Sequence, residues 1–159
     1  MSSEFDPTTH VLAPARYFED FEVGEKFPLS SRTMGEAHFC AFQVVSGDNH
    51  PIHYDREYCR RHGHRELLAH GLQVASLTAA GAGMFPHVTG ESLIAFLEQS
   101  SKFVGPVYVG DTVYPILIIT HLKAQNTTGV LTMSSTVHNQ DGALVLEGEQ
   151  KYLLRKRPA

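Results

Sequence analysis

Fourteen consecutive residues near the middle of the chain, GLQVASLTAAGAGM (residues 71–84), carry no charged side chain. The segment is shorter than the roughly 20 apolar residues that a membrane-spanning helix needs. A helix without a charged face is normally buried on most of its sides. This stretch therefore predicts one buried helix, ending before Pro86, that the rest of the chain must wrap.

The residues after this helix are typical of antiparallel strands, because apolar and polar side chains alternate along them. One predicted strand places four residues on the same face: Leu131, Met133, Ser135 and Val137. Hairpin turns are predicted at NQDG (139–142) and QNTTG (125–129). Pro115 is expected at a bulge or a sheet edge. The predicted fold class is α+β, with an antiparallel sheet of about five strands around one helix.

The first half predicts one strand over residues 24–35 and two helices. The first helix covers residues 36–46 and is ended by Gly47. Its expected apolar face consists of Phe39, Ala41, Phe42, Val44 and Val45. The second helix covers residues 56–62, with Asp55 as its N-cap and Gly63 as its stop.

Composition narrows the function classes. The chain has 159 residues, a net charge of −4 and a pI near 6.2, whereas nucleic-acid binders usually carry a basic surplus. The sequence shows no membrane span and no signal peptide, and two cysteines suggest no disulfide scaffold, so a reducing cytoplasm is expected. The predicted division is an N-terminal extension (1–17), one domain (18–154) and a basic tail (155–159).

Titratable groups are concentrated in SGDNHPIHYD (residues 46–55). Asp48 and His53 would lie about 140° apart on a helix, but Pro51 excludes a helix and predicts a turn that aims both side chains at one point. A carboxylate beside an imidazole can fix the ring tautomer, or the two groups can share a water, as in general acid/base catalysis. The alternative is a helix-capping aspartate and a surface histidine.

Gly71 opens the uncharged helix. The first amides of a helix have no partner within it, and a glycine lets a ligand oxygen approach the backbone N–H closely. That arrangement suits an oxyanion hole. The alternative is an ordinary helix start.

Three segments in order resemble a known family. FQVVSGDNHPIHYD (42–55), AHGLQVASL (69–77) and FVGPVYVGDTVY (103–114) are similar to segments of the MaoC-like dehydratases and (R)-specific enoyl-CoA hydratases, the hydratase 2 group. The likeness extends over residues 18–154. It implies a single hot-dog fold, an antiparallel sheet wrapped around a long central helix. It also implies assembly as a homodimer, or as a dimer or trimer of dimers.

The resemblance also implies roles for individual residues. Asp48 and His53 match the catalytic pair of the family, and Gly71 matches its oxyanion amide. Four neighbours are expected to support the pair: Ser46, Gly47, Asn49 and His50. His50 occupies the position before the proline where the family usually has asparagine. The implied reaction is the reversible hydration of a trans-2-enoyl-CoA to a 3-hydroxyacyl-CoA, without cofactor or metal.

The remaining polar residues have weaker assignments. His70, Arg60, Arg61 and Arg65 are candidate contacts to the coenzyme A or acyl carrier protein thioester, although basic residues at a helix C-terminus also stabilise the helix dipole. Residues 155–157 are expected to form a frayed tail. His62 and His64 lack zinc-site spacing, and Cys40 is expected to be a buried thiol.

Two other functions remain open. A hot-dog acyl-CoA thioesterase would hydrolyse the same thioester, but its acid/base residue usually sits on the central helix, and residues 71–84 contain no carboxylate. A non-catalytic subunit that only binds acyl thioesters would have no need of the Asp48 and His53 pair.

Overall fold

A computed structural model describes residues 5–158 of the chain. Its strands are β1 (Lys26–Pro28), β2 (Arg32–Thr33), β3 (Leu93–Phe103), β4 (Thr112–Ala124), β5 (Thr128–Asn139) and β6 (Leu144–Arg155). Its α-helices are α1 (Glu36–Ser46), α2 (Arg56–Arg61), α3 (Gly71–Ser76) and α4 (Phe85–Thr89). Short 3-10 turns lie at Pro7–Thr9, Phe18–Asp20, Pro51–His53, Ala80–Ala82 and Gly90–Ser92.

The strands form one antiparallel sheet in the order β1-β4-β5-β6-β3, with β2 pairing a second part of β4. The described sheet has six strands. The segment predicted as one strand over residues 24–35 forms two, β1 and β2. It is interrupted between them, where Leu29 forms a bridge to Gly83. Pro115 faces this gap, where its carbonyl accepts from Leu29 N, so its missing N–H costs no ladder bond. Both predicted hairpin turns are confirmed.

The predicted continuous helix over residues 71–84 is wrong. Within these residues only α3 and the 3-10 turn Ala80–Ala82 are helical, and α4 begins after them at Phe85. The Thr78 carbonyl, which would accept a helical hydrogen bond, instead accepts from Gln150 Nε2 at 2.9 Å. Gly83 lies so close to the first strand that a Cβ there would come within 2.7 Å of the Leu29 side chain. Tertiary contacts have therefore replaced helical bonds, while the segment keeps the central place predicted for it.

The interrupted helical segment is buried against the inner face of the sheet. Val74 and Leu77 belong to a cluster with Val137, and Phe85 belongs to a second cluster with Met133. Four β5 residues share one face, as predicted, and the structure buries all of them: Leu131, Met133, Ser135 and Val137. Each buried Leu, Val, Met or Phe side chain contributes about 1.5–3 kcal/mol, so this face fixes the position of α3.

Helix α1 has the predicted bounds and ends at Gly47, whose φ of 68° is left-handed and suits glycine. The predicted face is only partly right, since Phe39 is buried but Val44 and Val45 are 86% and 84% exposed. Cys40 is exposed, so the expectation of a buried thiol is wrong. The reason is that the helix packs on the domain by one narrow edge, which leaves its other sides outside the core.

The frayed tail expected at residues 155–157 is also wrong within the described residues. Arg155 ends β6, and Arg157 forms an ion pair with Asp20 at 2.6 Å and lies over the Tyr17 ring. Of the predicted extension, residues 1–4 lie outside the described part, as does Ala159 of the tail. Among residues 5–158 no helix is long and apolar enough to cross a membrane.

Candidate active site

The turn after α1 holds Asp48 in a fixed conformation. Ser46 Oγ accepts a hydrogen bond from Asp48 N at 3.2 Å, and Asp48 Oδ1 accepts from His50 N at 2.9 Å. The 3-10 turn Pro51–His53 follows directly. A short polar side chain that bonds to the backbone two residues on is a common turn element, so Asp48 builds the turn while its other oxygen stays available.

The tautomer of His53 is fixed by a backbone group. Its Nδ1 lies 2.6 Å from the Leu68 carbonyl oxygen. A carbonyl can only accept, so Nδ1 carries the proton and the neutral ring keeps its lone pair on Nε2. The sequence suggested that Asp48 could hold this tautomer; in the structure Leu68 does so, and the shared-water alternative is the one left for the carboxylate.

His70 joins the pair as a third member. Its ring stacks on His53 with centroids 3.5 Å apart and 22° between planes, and its Nε2 lies 3.5 Å from Asp48 Oδ2. The Tyr54 hydroxyl lies 3.3 Å from the same nitrogen. Sequence reasoning placed His70 among the substrate contacts and missed Tyr54, whose position directly after His53 was the available signal.

Electrostatics keeps these groups in distinct states. The pKa of the Asp48 carboxyl is lowered, first by the hydrogen bond from the His50 amide and then by the neighbouring imidazoles. The pKa of His70 is lowered, first by burial and then by His53. Burial, and then Asp48, raises the pKa of the Tyr54 hydroxyl. Near neutral pH the site therefore contains a carboxylate, a neutral His70 and a neutral phenol.

The same three groups are close enough to be considered for metal binding, since one ligand atom from each of Asp48, His53 and His70 lies within 4.8 Å of the others. Imidazole binds a metal along the lone pair in its ring plane. In two rings stacked at 22° the lone pairs lie in nearly parallel planes, so they do not converge on one point. The geometry favours proton transfer over coordination, and a metal-free site remains a prediction.

Gly71 lies at the edge of an open cavity of about 480 Å³. Within the described residues its N–H has no hydrogen-bond acceptor. The cavity is walled mainly by Val74, Phe103, Pro106, Val107 and Val145. A Cβ added at Gly71 would lie 3.1 Å from the Phe103 ring. Gly71 thus combines an unpaired amide with a place at the edge of an apolar cavity, directly after His70, which is compatible with the oxyanion prediction.

Two of the residues predicted to support the pair contact the helices on either side of the turn. Asn49 Oδ1 accepts from Gln43 Nε2, and Asn49 Nδ2 donates to the Gly47 carbonyl at 3.2 Å. The His50 ring packs edge-on against Tyr58, at 5.7 Å between centroids. His50 thus supports Asp48 through its backbone N–H while its ring points toward α2.

Arg60 and Arg61 at the end of α2, and Arg65 after it, do not line the Gly71 cavity. Arg60 pairs with Glu57. Arg65 pairs with the buried Asp111 at 2.5 Å and lies over the Tyr108 ring. Arg65 is thus held by structural partners, whereas exposed Arg61 has no ion pair among residues 5–158.

Comparison with known proteins gives consistent matches. Residues 20–140 match the family model described as MaoC like domain. The chain is 33% identical to an (R)-specific enoyl-CoA hydratase of Aeromonas caviae, covering 82% of this chain and 93% of that one. It is 30% identical to the enzyme of that name in Rhodospirillum rubrum, covering 89% and 93%. A solved structure called a monoamine oxidase regulatory protein, from Archaeoglobus, superposes with a TM-score of 0.84 at 29% identity, covering 93% and 99%.

Proposed function

The chain belongs to the MaoC-like family, and from this premise we propose that it is a hydro-lyase that reversibly adds water to a trans-2-enoyl thioester of coenzyme A. The observation that carries the proposal is the His53 ring, whose Nδ1 is held by the Leu68 carbonyl. His53 clusters with Asp48 and with His70, the residue directly before Gly71. We assign His53 as the base, Asp48 as the acceptor that orients the water and the Gly71 amide as the oxyanion donor.

The first step uses Asp48 and His53 together. The Asp48 carboxylate accepts a hydrogen bond from a water and orients it, while His53 Nε2 takes a proton from that water as it attacks C3 of the enoyl group. A new C–O bond forms, and the electrons of the C2–C3 double bond move toward the thioester. Positioned groups of this kind typically contribute about 10²–10⁴-fold.

The second step returns the proton. Negative charge on the thioester oxygen is stabilised by the Gly71 N–H, and His53 then delivers its proton to C2, so the addition of water is balanced. Losing one such donor costs about 3 kcal/mol of barrier. The reverse path dehydrates a 3-hydroxyacyl thioester.

His70 supports this cycle by staying neutral. Its ring lies flat against His53, and a charged ring there would oppose protonation of the base. Because burial lowers the pKa of His70, the stack accommodates one added proton at a time. We assign His70 this positioning role in addition to the substrate contact expected from the sequence.

The assembly we propose is a homodimer that pairs the β3 edges. β3 ends the sheet and pairs only with β6 among the described strands. It carries exposed apolar side chains, including Phe96 at 53% and Leu97 at 50%. Unpaired, apolar edges are usually covered. Light scattering of the wild type and of Leu97→Lys tests this, with a monomeric wild type as the contrary result.

The function is tested with purified protein and crotonyl-CoA, following loss of the enoyl absorbance and, in parallel, release of free thiol. Hydration is expected in the wild type. Asp48→Asn and His53→Gln should each reduce kcat by about 10²–10⁴-fold while the melting temperature stays close to wild type, since both side chains border solvent.

Matched controls are Asp141→Asn in the β5–β6 hairpin and His62→Gln after α2, both exposed positions outside the site. Both controls should keep full activity. Thiol release without hydration would instead identify a thioesterase, and neither reaction would identify an acyl-binding module. Near wild-type turnover in His53→Gln would show that the mechanism is wrong.

A further inference from the structure

The carbonyl oxygen that fixes the His53 tautomer belongs to a short extended segment, residues 67–69, outside the regular helices and strands. Leu68 bonds to the His53 turn with both of its backbone groups. Its carbonyl lies 2.6 Å from His53 Nδ1, and its N–H donates to the Ile52 carbonyl at 3.1 Å. The orientation of the proposed base therefore depends on what holds residues 67–69 in place.

Residues 67–69 pair with a second short segment, residues 107–109. Two backbone hydrogen bonds join the segments, at 2.8 and 3.0 Å, on either side of an isolated antiparallel bridge between Leu68 and Tyr108. Elements with few hydrogen bonds and contacts open most easily. Leu68 is therefore only as fixed as residues 107–109 are.

The buried carboxylate of Asp111 ties residues 107–109 to the domain. Asp111 is 2% exposed, its Oδ2 accepts from Tyr108 N at 2.8 Å, and its own N–H donates to the Tyr108 carbonyl at 3.0 Å. Its Oδ1 accepts from Arg65 Nη2 at 2.5 Å and from Gln140 Nε2 at 3.0 Å. The Arg65 guanidinium also lies over the Tyr108 ring, 4.4 Å from its centroid. Because a buried carboxylate that loses its charged partner is strongly destabilised, the pair of Arg65 and Asp111 keeps this turn in one geometry.

Resting on the proposed hydration of enoyl thioesters, we propose that Arg65 and Asp111 are positioning residues for the catalytic base. Through residues 107–109 they hold the Leu68 carbonyl against His53 Nδ1, which keeps the proton on that nitrogen and the lone pair on Nε2. A reacting group displaced by about 1 Å can lose about 10²-fold in rate. The pair therefore controls kcat from outside the substrate site.

The competing role for Arg65 is the contact to coenzyme A that the sequence suggested. Neither Arg65 nor Asp111 lines the Gly71 cavity, whereas Leu68 and Val107 do. The Arg65 guanidinium is already engaged by a carboxylate and a ring. The two roles differ in their kinetics, since a lost positioning residue lowers kcat and a lost substrate contact raises KM.

The first test is spectroscopic and needs no turnover. Nitrogen chemical shifts of isotope-labelled histidine report which ring nitrogen carries the proton, and His53→Gln identifies the signals of His53. Wild type, recorded above the titration range of histidine, should carry the proton on Nδ1 alone. Asp111→Asn and Arg65→Met should both populate the other tautomer as well. If Asp111→Asn does not fold, Arg65→Met carries the test, since its side chain is 58% exposed.

An unchanged His53 tautomer in either folded variant would overturn the proposal. This result does not depend on whether the protein hydrates any enoyl thioester. Failure of the positioning role is thereby distinguished from failure of the hydratase function.

The second test uses kinetics on crotonyl-CoA, well below the melting temperature of each variant. Asp111→Asn should lower kcat by up to about 10²-fold with KM unchanged. Arg65→Met should lower kcat less, because the Tyr108 and Gln140 donors to Asp111 remain. A raised KM with wild-type kcat in Arg65→Met would overturn the proposal and identify a contact to coenzyme A.

The matched control is Arg157→Met. Arg157 also pairs with an aspartate, Asp20, and lies over a tyrosine ring, that of Tyr17. The substitution removes the same kind of contact in another part of the domain, and it should leave kcat and the His53 tautomer unchanged. An equal change in this control would overturn the proposal.

A double variant tests whether Asp111 acts through the base. When Asp111→Asn is added to His53→Gln, the residual kcat should not fall further, because the group that Asp111 positions is already absent. The same proportional loss in both backgrounds would overturn the proposal, since Asp111 would then support the fold in general.

Discussion

Replacing Gly71 tests the oxyanion assignment most directly. This residue lies at the edge of the apolar cavity, and an added Cβ would lie 3.1 Å from the Phe103 ring. Contacts of that length require the neighbour to move by a few tenths of an ångström. Because Phe103 is 51% exposed, its ring can shift, and Gly71→Ala should change the melting temperature little.

Activity should respond much more strongly. The branched side chain of Gly71→Val keeps the N–H but occupies the space from which a thioester oxygen would reach it. Loss of one oxyanion donor costs about 10²–10³-fold in kcat, equivalent to about 3–4 kcal/mol. We expect a loss of this size for Val and a smaller one for Ala, measured as kcat on crotonyl-CoA together with thermal unfolding.

A second substitution distinguishes the two causes of lost activity. If the new side chain acts only by displacing the Phe103 ring, Phe103→Leu in the same molecule should restore turnover. If it blocks the amide, the double variant should remain as slow as Gly71→Val alone. Full turnover in Gly71→Val, or a fall in melting temperature large enough to account for the lost activity, would refute the assignment.

Three further predictions concern the neighbours of the pair. His50→Asn should keep activity within about tenfold of wild type, since His50 supports Asp48 through its backbone N–H; activity as low as that of His53→Gln would show a chemical role for the His50 ring. The pKa of His70 is lowered in the fold, so below about pH 6.5 the unfolded chain binds more protons than the native one. The contribution of a neutral His70 to the free energy of unfolding is therefore complete above that pH and is lost as pH falls through the native pKa. The melting temperature of His70→Phe should depend less on pH than that of wild type, and an unchanged pH dependence would contradict this. Arg60→Gln and Arg61→Gln should raise KM for crotonyl-CoA several-fold at low salt without changing kcat. They should leave KM unchanged for a short thioester that lacks the nucleotide. An equal effect on both substrates would show that these arginines do not bind coenzyme A.

The sequence was sufficient for features that depend on local chemistry. The bounds of α1, its end at Gly47, the turn forced by Pro51 and the Asn139–Gly142 hairpin all follow from properties of neighbouring residues. The buried face of β5 follows from simple alternation. The family resemblance was likewise carried by short segments, and the comparison with known proteins confirms it. The positions of Asp48 and His53 in one turn were predictable for the same reason.

Only the tertiary structure decided what depends on contacts between distant segments. Gln150 Nε2, rather than a helical N–H, donates to the Thr78 carbonyl. The Leu68 carbonyl, rather than Asp48, fixes the His53 tautomer. The exposure of Cys40 and the pairing of Arg157 with Asp20 were missed for the same reason. Periodicity reports which faces a segment would bury by itself, but these hydrogen bonds join residues 15 to 137 positions apart. Their partners are determined by how the sheet closes around the helical segment, which a local pattern does not encode.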